Sequence, residues 1–109
     1  LNGLIDVTFD ITVDSDTQIT FQANYEYGNA VERLPWRGAA AADLDLYNQT
    51  GDSSVTILTF SQSGATPGQY TITFAAQTTG YVIALSAFRA ATGNLLNGFE
   101  GESTTFVAL

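Results

Sequence analysis

The feature that most limits what this chain can fold into is the two-residue alternation of apolar and polar side chains near its start. From Leu4 to Val13 it places Ile5, Val7, Phe9, Ile11 and Val13 on one face and Asp6, Thr8, Asp10 and Thr12 on the other. Successive side chains of a strand point to opposite faces, so the pattern predicts a half-buried strand and excludes a helix. Asp14, Ser15 and Asp16 form a turn. Alternation then resumes with Ile19, Phe21, Ala23, Tyr25 and Tyr27 against Thr20, Gln22, Asn24 and Glu26. Two such segments joined by a short polar turn predict an antiparallel hairpin, although strands from the edges of two sheets satisfy the same pattern.

Periodicity lapses from Gly28 to Ala41, a connection holding Arg33, Pro35, Trp36, Arg37 and a run of alanines. A short helical turn fits only here. Ala42, Leu44 and Leu46 then face inward while Asp43, Asp45 and Tyr47 face outward, up to a turn at Asn48, Gln49, Thr50, Gly51 and Asp52. Val55 to Phe60 reads as one further strand, with its inward face open. Beyond the Pro67-Gly68 turn, Tyr70, Ile72, Phe74 and Ala76 alternate with Thr71, Thr73, Ala75 and Gln77. The run from Tyr81 to Phe88 is apolar on both faces, as expected of a strand covered on both sides. Thr104 to Leu109 closes with a last short strand. About seven to eight strands and no helical period predict a single all-β domain over residues 1–109, an antiparallel, jelly-roll-like sandwich. Alternation by itself does not separate jelly-roll from immunoglobulin-like strand order.

A chain of 109 residues is one domain in size, and 45% hydrophobic residues, with seven Phe, five Tyr and one Trp, supply a core. Eleven carboxylates against three arginines give a formal charge of -8. Three guanidiniums in a negative field cannot neutralise a phosphate track, so nucleic acid is excluded as a partner, and anionic membrane surfaces are disfavoured. No apolar stretch is long enough to insert across a bilayer as a helix. Cys, His, Met and Lys are all absent, which removes disulfides, thiolate zinc sites, Ser-His-Asp triads and lysine Schiff bases. Carboxylate chemistry survives, but neither Asp6/Asp10 nor Glu100/Glu102 comes with signs of a cleft, so no enzyme is expected. Abundant Thr, Gly, Ala and Asn without Lys lean towards an extracellular or cell-surface protein. Opening at Leu1 with no basic-then-apolar segment, the chain reads as a mature or excised form.

Three stretches fall into a familiar order: Ala42-Asp43-Leu44-Asp45-Leu46-Tyr47, then Pro67-Gly68-Gln69-Tyr70-Thr71-Ile72, then Gly80-Tyr81-Val82-Ile83-Ala84-Leu85. Together, from Val7 to Phe88, they resemble the bacterial pre-peptidase C-terminal domain family. The resemblance implies a compact, non-catalytic jelly-roll sandwich appended to a secreted protein, in some members supported by calcium. The Gly28 to Ala41 connection and the tail from Ala90 to Leu109 depart from the family pattern.

Several residues are candidates for a site. Asp43 and Asp45, two apart on one strand, would project side by side about 7 Å apart, and the repulsion would be relieved by a hard cation. Asp14, Asp16 and Asp52 sit in turns able to close over the same end, and oxygen ligands of this kind suit Ca2+. No other cofactor is expected. Solvent and Arg33 or Arg37 would screen the pair equally well. Trp36, in an irregular loop, is either a stacking platform extended by Tyr25, Tyr27 and Tyr47 or a plug folded over one end of the sandwich. Asn48-Gln49-Thr50 is an N-glycosylation sequon and also what an Asx-type turn requires.

Both ends are apolar and β-prone: Leu4 and Ile5 at one, Phe106, Val107 and Leu109 at the other. Either the first and last strands are neighbours in one sheet, or a terminal strand completes another subunit by β-augmentation. The function expected is structural: a surface module, such as a filament or surface-layer subunit, that binds its own kind. The alternative is an accessory module for carbohydrate or a surface protein.

Overall fold

In a computed structural model the residues described are 5–27, 34–89, 99–100 and 104–109, with side chains described for 7–24, 34–87 and 104–109. The strands are β1 (Ile5–Ser15), β2 (Gln18–Tyr27), β3 (Leu34–Pro35), β4 (Leu44–Asn48), β5 (Ser53–Val55), β6 (Thr59–Gln62), β7 (Gln69–Thr73), β8 (Val82–Arg89), β9 (Phe99–Glu100) and β10 (Thr104–Val107). One sheet runs β1-β2-β7-β6 with β3 added to β2; the other runs β10-β8-β4-β5 with β9 added to β8. Every pairing is antiparallel.

The all-β sandwich expectation holds. With the two-residue strands set aside, the strand order is that of an immunoglobulin-type sandwich, ABED on one sheet and GFC with an added C′ strand on the other. This decides between the two orders that alternation leaves open, and replaces the jelly-roll order. It also corrects one expectation for the ends, since β1 and β10 belong to different sheets.

The hairpin forms as the alternation requires. Val7, Phe9, Ile19, Phe21 and Ala23 are buried, and Ile11 and Val13 pack against the core. Asp14 lies inside β1 and not in the turn: the ladder pairs Val13 with Ile19 and Ser15 with Gln18, so Asp14 is the extra residue of a bulge. Core side chains from both layers meet between the sheets: Tyr70, Ile72 and Phe74 from one side, Leu44, Leu46, Ile83, Leu85, Ala87 and Phe106 from the other. Aromatic contacts run through the middle, Phe9 edge-on to Phe21 at 5.5 Å and Tyr70 stacked between Phe21 at 5.7 Å and Phe60 at 5.2 Å. Each large apolar side chain so buried contributes about 1.5–3 kcal/mol.

Two segments differ from the sequence reading. Val55 to Phe60 is not one strand; the chain leaves β5 and crosses at Thr56–Leu58 to become β6 of the opposite sheet. Val55 and Ile57 pack inward on odd positions and Phe60 on an even one, which is why no single face fits the run. In β8 the inward Ile83, Leu85 and Ala87 are buried as expected, but among the described side chains of the outer face only Ala84 is buried, flanked by Tyr47 and Thr105 on the neighbouring strands. Val82 and Ser86 stay half-exposed, so the outer face is covered only where a small side chain lies between larger ones.

Candidate functional site

The acidic residues proposed as metal ligands are not brought together. Asp43 is not on a strand but ends a single 3₁₀ turn, Ala41–Asp43, where its Oδ2 accepts the Ala40 N–H at 3.0 Å. Asp45 is exposed on β4, so the side-by-side pair on one strand does not exist. The Ala run makes this turn because alanine tolerates helical backbone and Asp43 caps it from within. Asp52 lies past the far end of β4, roughly 13 Å away along a strand of this length. The Asp14 Oδ2 is already occupied, accepting from Thr20 Oγ1 at 2.7 Å and Gln18 Nε2 at 3.1 Å. Asp16 is in the hairpin turn, where its carbonyl accepts from Gln77 N at 3.1 Å. Among the described residues no three carboxylates converge as a metal site needs.

Trp36 is a plug and not a platform. It is 5% exposed and belongs to the core. Its N–H donates to the Ala23 carbonyl at 2.9 Å, and its carbonyl accepts from the buried Tyr70 hydroxyl at 2.5 Å. That hydroxyl also accepts the Ala39 N–H at 3.1 Å, so one phenol anchors both sides of the crossing from β2 to β4. Gly68 reinforces the same corner: its carbonyl accepts the Ala23 N–H at 2.8 Å. Its φ is +80°, and a Cβ there would meet the Ala23 carbonyl at 2.8 Å and Pro35 at 2.9 Å, so glycine is required.

Tyr47, the last of the three tyrosines suggested to extend that platform, is half-buried and donates its hydroxyl to Asp52 Oδ1. This hydrogen bond, with lesser help from burial and from the Asp52 charge, raises the phenol above its ordinary value of 10.0. Tyr25 and Tyr27 have backbone places on β2, and their side chains lie outside those described.

Asn48 is 7% exposed at the end of β4. Its Oδ1 accepts the Gly51 N–H at 2.8 Å and its Nδ2 donates to Gln77 Oε1 at 3.5 Å. The side-chain oxygen thus closes the turn to β5, and a glycan on Nδ2 would first have to pull this amide out of its seat. The turn role is the one the geometry supports.

At the ends, Leu4 lies outside the described residues and Ile5 pairs by its backbone with Tyr27. Phe106 is not available for a partner; it is 6% exposed with its ring 6.1 Å from that of Phe74. Val107 and Leu109 are 55% and 56% exposed, whereas Ala108 between them is buried.

What the sequence reading missed lies at the opposite flank. β5 pairs with β4 only along Leu46–Asn48, leaving Leu44 and Asp45 uncovered on that side. A shallow, open recess of about 340 Å³ results, lined by Ala41, Ala42, Leu44, Asp45, Leu46, Val55 and Ile57. Asp45 is its one ionisable lining group, a single carboxylate where carboxylate-based acid–base catalysis uses two. Detection in the sequence would have required knowing that the chain changes sheet at Thr56.

Comparison with family models, with curated proteins and with solved structures gives no match.

Proposed function

We propose that this chain is a non-catalytic, extracellular or cell-surface β-sandwich that serves as a structural module and assembles with its own kind through sheet edges. The observation that carries the reading is where the exposed apolar side chains sit. Val107 and Leu109 lie on or just beyond the edge strand β10, and Leu58, 62% exposed, precedes the edge strand β6. Edge strands present unpaired backbone groups, and apolar residues beside them favour pairing with another chain, where charge or proline would discourage it. The filled aromatic core and the shallow recess add support, since a catalytic cleft would have to be built elsewhere.

The alternative, an accessory module of the pre-peptidase C-terminal type for carbohydrate or protein, loses its main aromatic with the burial of Trp36. Sedimentation velocity across a range of concentrations tests the proposal. Species growing with concentration are expected, with extended particles by electron microscopy; a monomer at all concentrations would overturn it.

A further inference from the structure

We infer that copies of this chain join head to tail, β10 in one copy pairing antiparallel with β5 in the next along the edges that no described strand of the chain pairs. This rests on the assembly reading above and specifies its surfaces and its geometry.

The first observation is strand direction. The second sheet has an even path, β10-β8-β4-β5, with every neighbour antiparallel, so its two edge strands run in opposite directions. A copy displaced sideways without being turned over therefore meets its neighbour with an antiparallel pair. The first sheet, β1-β2-β7-β6, has the same property. β1 approaches β10 on one flank, while β5 and β6 are joined by Thr56–Leu58 on the other. One displacement thus continues both layers at once.

The second observation is charge. From Ser53 to Phe88 the sequence contains no Asp, Glu, Lys or Arg, so β5 and β6 themselves are uncharged, and Asp45 of the recess is the carboxylate that lies beside them. The other flank carries exposed Asp10 and Asp14 on β1 beside an uncharged β10. Joining two β1-β10 flanks would set these carboxylates against each other, whereas joining unlike flanks sets them against Thr and Ser. Two β5-β6 flanks could meet through uncharged strands, but Val107 and Leu109 would then remain in water. In the head-to-tail arrangement they come to lie beside β5, at the flank that carries the exposed Leu58 and the recess.

The third observation is which backbone groups are free. Ala108 donates to Tyr81, opposite it in the ladder register, so even positions of β10 face β8 and Thr105 and Val107 face outward. Gln49 donates to Val82 in the same way, so Tyr47 and Asp45 bond towards β8 and Leu46 and Asn48 towards β5. On β5 the residues facing β4 are Ser53 and Val55, leaving the N–H and C=O of Ser54 on the open side. Because the two surfaces differ, the contact is heterologous and does not close; sheet twist winds the resulting array into a filament.

Two substitutions test this, each removing one outward N–H without touching an internal ladder bond: Val107→Pro and Ser54→Pro, both at edges that tolerate proline. Each variant alone is expected to remain monomeric by sedimentation at concentrations where the wild-type chain assembles. An equimolar mixture is expected to give a capped one-to-one dimer, since each supplies the edge the other lacks. If Ser54→Pro or Val107→Pro still self-associates, or the mixture stays monomeric, head-to-tail pairing is overturned while assembly itself stands. If the wild-type chain never assembles, the assembly reading fails first. Far-ultraviolet circular dichroism checks that each variant folds; should proline disturb either, Val107→Glu and Ser54→Glu apply the same test by charge.

Discussion

Tyr70→Phe removes one oxygen atom from the centre of the molecule and asks how firmly the β2-to-β4 crossing is held. The Tyr70 ring is fully buried and stacked between Phe21 and Phe60, so phenylalanine fills the same space. Lost are the hydrogen bond to the Trp36 carbonyl at 2.5 Å and the one accepted from Ala39 N at 3.1 Å. At about 1 kcal/mol net for each, the variant should be less stable by about 2 kcal/mol. For a domain of this size that lowers Tm by roughly 8 to 15 °C. Trp36 is the only tryptophan, so its emission reports the crossing while circular dichroism reports the sheets. Urea unfolding, at the lowest workable concentration to exclude stabilisation by assembly, should give coincident curves by both probes and an unchanged m value. Tyr81→Phe, on a half-exposed ring, is the control and should shift stability by less than about 0.5 kcal/mol. A Tyr70→Phe variant as stable as that control would refute the view that this hydroxyl anchors the crossing.

Other outcomes follow from the same geometry. Gly68→Ala should cost about 2 kcal/mol or more by thermal unfolding, because positive φ and the contact with the Ala23 carbonyl add; Gly80→Ala, at φ +89° with open space around it, should cost only about 1 kcal/mol. The phenol of Tyr47 is raised in the folded state, so its contribution to stability is complete below the unfolded value near 10 and declines as pH climbs through the higher folded value. Tyr47→Phe should therefore flatten the alkaline limb of the stability profile, followed by urea unfolding across that pH range. With the acidic residues apart among those described, the chain is expected to melt at the same temperature in calcium and in chelator, and a chelator-sensitive Tm would refute this.

The hairpin and the inward rows of β4 and β7 were legible because one face of each strand meets the core and the other meets water, and alternation records that difference directly. The crossing at Thr56–Leu58 was not, since Val55, Ile57 and Phe60 bury against one core from two sheets and their parity changes midway. Asp43 alternates with Asp45 as strand residues do, yet it caps a turn that local Ala-Ala-Asp chemistry favours. Trp36 carried two readings because its burial depends on Ala23 and Tyr70, far away in sequence. The open flank was hidden for a related reason: an edge is defined by the strand that is missing beside it, and no local pattern marks that.

Ala23 gives the corner an unusual sensitivity. Its amide proton reaches the Pro67-Gly68 turn and its oxygen receives the backbone amide proton of Trp36, so three distant stretches of chain meet at a single residue. Loosening of any one of them would register at this residue, making the deuterium uptake of one alanine a gauge for this whole end of the core between the layers.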